Sequence, residues 1–337
     1  MLPVGYFAPT QDPPNVRKTA VLIDEIMALA QCAEAAGYDG MFFPEHHFQK
    51  DAFLPNPVLL AGLVGMRTQR IKVGPAVMLA PLYHPIRLAE DAAMIDLATK
   101  GRFICALGIG YVEEDFSALG IPFKQRVSRT EECIDILRHA WTGEPFTYQS
   151  RYHRLENVRV TPAPWQRPGP PIWAAGWSKP GVERAGRMAD GLIADPMQSL
   201  PVIKEQARQY REAAAKHGRK PYYVLMRDCV LGDSPARVLE KSAPAMYKYR
   251  WYFENGAYVE DGYFKDVKSP ADLSFEHVAK DRLIAGSPAA CLEQLQMWKH
   301  EVRPDYLILR MRYAMGPELP VALDDIRLFG EKVIPFL

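Results

Sequence analysis

Short apolar runs rich in β-branched and aromatic residues alternate with amphipathic stretches from one end of the chain to the other. A run of a few consecutive apolar residues bounded by turn formers reads as a strand buried on both faces, and apolar residues three or four positions apart read as a helix with one buried stripe. The predicted strands are Val4 to Phe7, Gly40 to Phe43, Ile71 to Val77, Phe103 to Leu107, Pro171 to Ala175, Gly191 to Ala194, Tyr223 to Val230 and Tyr306 to Leu309. Between them Thr19 to Ala36, Pro85 to Ala98, Val127 to Trp141 and Leu200 to His217 carry helical spacing. This alternation predicts parallel strands joined by crossover helices. About eight strands suit a closed (β/α)8 TIM barrel better than an open doubly wound sheet. No G-x-G-x-x-G with a downstream acidic residue marks a Rossmann half. The expected architecture is α/β, with residues 1–337 forming one domain whose first strand and last helix close a single ring.

Two regions break the rhythm, which predicts insertions after strand 4 and strand 7. Gly143 to Pro170 contains five prolines and an alternating Tyr/Arg/His run, read as a short strand pair with a Pro-rich return. Met246 to Arg282 is rich in Tyr, Asp and Lys, with no sustained apolar face after about Glu254. Long connections in a compact fold usually carry function, and this one is the lid candidate.

Composition narrows the function classes. The chain is 48% hydrophobic and 24% charged, with a formal net charge of +1, so no basic excess points to nucleic acid. No stretch approaches the roughly 18 apolar residues of a membrane span, and MLPVGYFAPTQDPPN lacks the layout of a secretory signal, so a cytoplasmic protein is expected. Cys32, Cys105, Cys133, Cys229 and Cys291 are scattered, odd in number and free of C-x-x-C pairing, which fits reduced thiols and neither a disulfide framework nor zinc. No His/Asp/Glu set stands at metal-ligand spacing, so no metal is expected.

The sharpest local feature is PEHHF, which puts Glu45, His46 and His47 just after an apolar strand. The carboxyl end of a barrel strand opens onto the active-site face. An imidazole there can exchange protons near neutral pH, tuned by an adjacent carboxylate, or it can simply hydrogen-bond loop backbone. The turn Gly176-Trp177-Ser178 precedes a helix, where backbone N–H groups and a hydroxyl can hold an anion. Ser178 is read as an anion ligand, an N-cap, or both. Gly108 and Gly110 allow close backbone approach to a ligand. Tyr111 follows the fourth strand and is a pocket candidate. Arg87 and Glu90 lie one helical turn apart and are read as an ion pair. Arg102 precedes its strand and belongs to the opposite, stability-related face. Arg310 ends the last strand, facing either the pocket or a rim salt bridge. His139, His153, His217, His277 and His300 are expected to be solvated.

The stretch FFPEHHFQKDAFLPNPVLLAGLVGMRTQRIKVGPAVMLAPLYHPIRLAEDAAMIDLATKGRFICALGIG resembles the bacterial luciferase-like flavin-dependent monooxygenase family. Downstream, GYVEEDFSALGIPFKQR, PPIWAAGWSKPGVERAGRMADG, IAGSPAACLEQL and FGEKVIPFL keep the family's order, and the likeness is weakest across Ser199 to Arg282. The resemblance implies an enzyme that uses reduced FMN and dioxygen to oxygenate a small organic substrate, with a flavin reductase supplying the flavin and a homodimeric assembly. A deazaflavin-dependent hydride-transfer enzyme, or a non-catalytic flavin-binding protein, are the alternatives on the same barrel. By the same resemblance His46 is the active-site histidine. Ala76 and Val77 lie in the segment whose non-proline cis peptide backs the flavin ring. Gly108, Gly110, Tyr111, Gly176, Trp177 and Ser178, placed by their positions after strands, are the remaining cofactor-contact candidates. One departure stands out: where several members carry a phosphate-holding arginine after the fourth strand, this chain has Ile109. The substrate itself is not legible.

Overall fold

A computed structural model describes residues 1–12, 19–254, 264–265 and 267–337. The strands are β1 (Val4–Phe7), β2 (Gly40–Phe43), β3 (Lys72–Pro75), β4 (Met78–Leu79), β5 (Cys105–Gly108), β6 (Phe146–Gln149), β7 (Arg154–Val158), β8 (Ile172–Ala175), β9 (Gly191–Ala194), β10 (Tyr223–Leu231), β11 (Ile284–Gly286) and β12 (Tyr306–Arg310). The helices are α1 (Thr19–Ala35), α2 (Pro57–Gly65), α3 (Pro85–Ala98), α4 (Glu114–Ser117), α5 (Arg126–Ala140), α6 (Lys179–Met188), α7 (Leu200–Lys216), α8 (Pro235–Glu254), α9 (Phe275–Ala279), α10 (Pro288–Val302) and α11 (Leu319–Lys332).

The parallel strands run in the order β3-β2-β1-β12-β10-β9-β8-β5-β4, with β11 added beside β10. The two ends of that path are consecutive in the chain. A parallel bridge between Val73 and Phe103 draws β3 toward the strand that carries β5, so the sheet curls into a nearly closed TIM barrel. The third predicted strand is therefore two short pieces, β3 and β4, divided by a cis peptide between Ala76 and Val77. β11 had no clear signal, because three residues are too few for a readable period. Between β5 and β8 the chain adds the antiparallel pair β6–β7, with Phe146 opposite Val158.

Strand alternation sorts side chains into two cores. Met41, Phe43, Cys105, Leu107, Leu192, Leu225, Leu307 and Leu309 face the helices, in the larger cluster. Phe42, Ile104, Ala106, Ile193, Val224 and Ile308 face inward with Trp173 and Tyr306. Phe42 lies 5.8 Å from Trp173 and 5.9 Å from Tyr306, ring to ring. Gly5 makes room for this: a Cβ there would sit 2.6 Å from the Phe42 ring. Truncating Phe42 to Ala would leave a void costing roughly 3–5 kcal/mol. The helices shield the outer layer. In α2, Asn56 accepts from the Leu59 N–H and Pro57 starts the first turn, which fixes where the helix begins.

The lid expected over Met246 to Arg282 falls partly on 255–263 and 266, outside the described residues. Around that gap Ala245, Tyr249, Phe264, Val267, Leu273 and Val278 join Met197, Val230 and Tyr313 in a third, separate apolar cluster. Its members are spread over strand ends, α8 and loops, which is why no single period announced it.

Candidate active site

The carboxyl ends of the strands surround a cavity of about 410 Å³. His46, Ala76, Val77, Gly108, Gly110, Tyr111, Gly176, Trp177 and Ser178 all line it, so the residues singled out from sequence converge on one space. His47 does not line it. Successive residues leaving β2 point to opposite sides, and His47 turns away to share a hydrogen bond with Glu45 Oε1 at 2.8 Å.

That turn is braced from beneath. Glu45 is buried, accepting from the Leu79 N–H at 2.6 Å and the Tyr83 hydroxyl at 2.9 Å. Burial raises its carboxyl above the usual range, while the Glu45 hydrogen bond raises His47. Asp115 on α4 then orients His46. Its carboxylate lies 3.0 Å from His46 Nδ1 and accepts the His47 N–H at 2.9 Å. Burial lowers the His46 pKa against the opposing pull of Asp115, so the imidazole is neutral at pH 7. A proton on Nδ1, directed at Asp115, leaves the Nε2 lone pair as a proton acceptor. Phe53, Tyr111 and Trp251 box in the ring at 5.2, 5.7 and 4.7 Å between centroids.

Tyr111 stands between this histidine and the far wall, 4.9 Å from the Trp177 ring. The wall is the turn from β8 into α6. Gly176 packs against the helix so closely that a Cβ would sit 2.9 Å from the Gly181 backbone. Gln206 of α7 pins the turn by donating to the carbonyls of Gly176 at 3.1 Å and Trp177 at 3.3 Å. Ser178 is the N-cap of α6 by position, yet its hydroxyl makes no capping hydrogen bond. Oγ is thus left for a ligand at the positive end of the helix.

Two arginines complete this wall. Arg184 on α6 and Arg126 at the start of α5 both line the cavity. Arg184 is buried, and burial lowers its pKa. No carboxylate pairs with it among the described residues. Ser178 Oγ and Arg184 Nη2 converge over Gly181, at 3.4 and 3.6 Å from where its Cβ would stand. Arg126 donates to the Phe123 carbonyl at 3.1 Å, while its buried Nε has no partner among the described residues. The arginine absent at Ile109 is therefore matched by two cations from other elements. On the opposite side Gly108 lets the ring of strands close against Val77, whose methyl would lie 2.5 Å from a Cβ.

Several residues at the site had no readable signal. Asp115, Arg126 and Arg184 are single charges within helical segments, where a charge usually marks a solvated face. Asp195 follows β9 and lines the cavity, with burial pushing its carboxyl up to about 6. Lys248 is buried beside the rings that box in His46. Of the other expectations, Arg310 forms a buried rim pair with Asp228 at 2.7 and 2.8 Å. Arg87 pairs with Glu90 and Asp91 on the surface. His153 corrects the expectation of solvation: it is buried, because Glu132 takes its Nδ1 at 2.8 Å under the β6–β7 pair. His277 likewise is half-buried, capping α9 with Ser274.

The profile of the luciferase-like monooxygenase family matches residues 2–305. The oxygenase component of the flavin-dependent trigonelline monooxygenase of Acinetobacter baylyi is 26% identical over 267 residues, 77% of this chain and 72% of that protein. The oxygenating constituent of 3,6-diketocamphane monooxygenase from Pseudomonas putida, solved with FMN, superposes with a TM-score of 0.81 at 22% identity, covering 99% and 98% of the two chains. The coenzyme F420-dependent tetrahydromethanopterin reductase of Methanopyrus kandleri superposes with a TM-score of 0.77 at 16% identity, covering 99% of each.

Proposed function

The chain belongs to the luciferase-like monooxygenase family, and on that premise we propose that it uses reduced FMN and dioxygen to oxygenate a small organic substrate. The observation that carries this reading is the pairing of an anion cradle with an oriented, neutral histidine across one cavity. An FMN phosphate suits the cradle. The α6 N-terminus, the free Ser178 hydroxyl, Arg184 and the unpartnered Arg126 Nε supply donors of the sign and number that a dianion needs. Ala76, Val77 and Gly108 offer a flat, side-chain-poor wall suited to a ring system, and Tyr111 and Trp177 offer aromatic faces.

A reduced flavin bound here supplies the electrons that activate dioxygen. The protein's part is to bind, orient and handle protons. His46 Nε2 accepts a proton from the reacting centre and returns it, with Asp115 holding the ring through Nδ1. Phe53, Tyr111, Trp251 and Tyr252 exclude water from that side, which strengthens every polar contact within.

Supply of reduced flavin by a separate reductase is supported by the name of the Acinetobacter relative, an oxygenase component. We further propose a homodimer, because Leu59, Leu63, Met66 and Met94 leave an exposed apolar strip on α2 and α3. A cytoplasmic location and a single 1–337 unit complete the reading. The deazaflavin alternative rests on the F420-dependent neighbour with the same fold. Titration with FMN, reduced FMN and a deazaflavin separates the two: reduced FMN should bind best and consume dioxygen. Tight deazaflavin binding with no oxygen uptake would establish the alternative.

A further inference from the structure

Lys248 lies on α8 and only 6% of its surface is exposed. Its ammonium sits 4.2 Å from the centroid of Trp251, 4.6 Å from Tyr252 and 5.3 Å from Phe53. Among the described residues no hydrogen bond or ion pair engages Nζ. Of the nearby carboxylates, Asp115 holds His46 and the His47 N–H and Asp228 holds Arg310, while Asp51 accepts from Gln11 and from the Tyr247 hydroxyl at 3.0 Å through Oδ2 and keeps a buried Oδ1 without a hydrogen-bond partner among the described residues. Aromatic faces stabilise a cation, but they do not replace the hydration that burial removes. A lysine buried without a counter-ion among the described residues is suited to receive an anion.

One of the rings that hold it, Tyr252, borders the reaction cavity, and the other two, Trp251 and Phe53, pack on His46, the histidine that lines it. An anion on Lys248 would therefore hold its own molecule against the imidazole. We propose that Lys248 in its box of Phe53, Trp251 and Tyr252 is the substrate-recognition site and selects flat or unsaturated organic carboxylates. This rests on the flavin reading only for the position of the reacting centre. A carboxylate fits on two counts: it neutralises the buried ammonium, and an unsaturated body stacks on the surrounding rings. Burial together with Arg310 pulls the empty receptor's pKa down to about 7, against the raising influence of Asp51, Asp115 and Asp228. Burial keeps the neighbouring Tyr252 hydroxyl protonated and lowers the His46 pKa. Anion binding should thus weaken as the pH climbs above about 7 and the ammonium loses its proton.

The test uses benzoate and its neutral isostere benzamide as probes, measured by titration calorimetry on the full chain with and without FMN. Benzoate should bind at least tenfold more tightly than benzamide at about pH 6, and the preference should shrink toward about pH 9. Lys248→Met should abolish the preference, and Lys248→Arg should keep it. Circular dichroism checks that both variants fold, and the arginine variant carries the test should the methionine variant fail. Equal binding of the two probes, no benzoate binding, or a preference that survives Lys248→Met in the folded protein overturns the proposal. FMN retention is read separately by ultrafiltration. A chain that prefers benzoate through Lys248 but does not bind FMN sinks the flavin reading and leaves the receptor standing.

Discussion

The two ends of the barrel treat buried charge in opposite ways. At the amino end of the strands Arg102, Asp96 and Asp190 are engaged by the fold. Arg102 donates to the carbonyls of Thr99, Ile71, Gly65 and Thr68 at 2.7 to 3.1 Å. Asp96 accepts from the Gln166 backbone at 2.8 Å and its side chain at 2.7 Å. Asp190 caps the Ile172 N–H at 2.9 Å while pairing with Arg138 at 2.8 Å. At the carboxyl end, Arg184 and Lys248 have no carboxylate partner and Arg126 Nε has no hydrogen-bond partner among the described residues, and Asp195 is pushed up to about 6. A charge buried without a partner costs stability, so it persists where a ligand supplies the partner. The floor is built to hold, and the mouth is built to receive.

That contrast is open to direct attack, most severely at His46. His46→Ala should leave folding and flavin affinity nearly intact while lowering product formation by about a hundredfold or more, the size expected for a positioned acid/base group. His47→Ala is the control, since its ring faces Glu45. Wild-type turnover should fall only below the ordinary imidazole range, because burial lowers the His46 pKa and the active form is neutral. Greater damage from the His47 change would reassign the residue.

At the floor, Arg102→Met should do the reverse. It strips several charge-assisted hydrogen bonds that tie α2 and α3 to β3, so it should cost about 2–3 kcal/mol in denaturant unfolding, with turnover per folded molecule unchanged. A loss of turnover beyond the loss of folded protein would mean that the two ends are not separable.

Ser178→Ala probes the cradle at smaller scale. It should weaken FMN binding about tenfold and riboflavin binding hardly at all, because only FMN brings a charged group to the α6 N-terminus. Equal losses for both ligands would move the phosphate elsewhere. The smallest effect is expected at Arg87, whose pairs with Glu90 and Asp91 are largely exposed: Arg87→Ala should change unfolding by under about 0.5 kcal/mol.

How much of this was legible depends on how local the signal is. Strand and helix periods are local, so β1, β2, α3 and α7 stand within a residue or so of their predicted bounds. The candidate ligand residues were legible for the same reason: His46, Gly108, Tyr111 and Ser178 sit at strand ends, and a barrel sends every strand end to one face. What the chain alone could not decide was which distant charges meet there. Asp115 reaches His46 across 69 positions, and the ring of Phe53, between β2 and α2, meets Lys248 of α8. Between His46 and His47 the local pattern was silent, and Glu45 decided it by drawing His47 away from the cavity. Periodicity follows from burying one face of a segment, a property each segment carries by itself. The lowered pKa values of His46 and Lys248 follow from desolvation, which exists only once separate segments have closed around them.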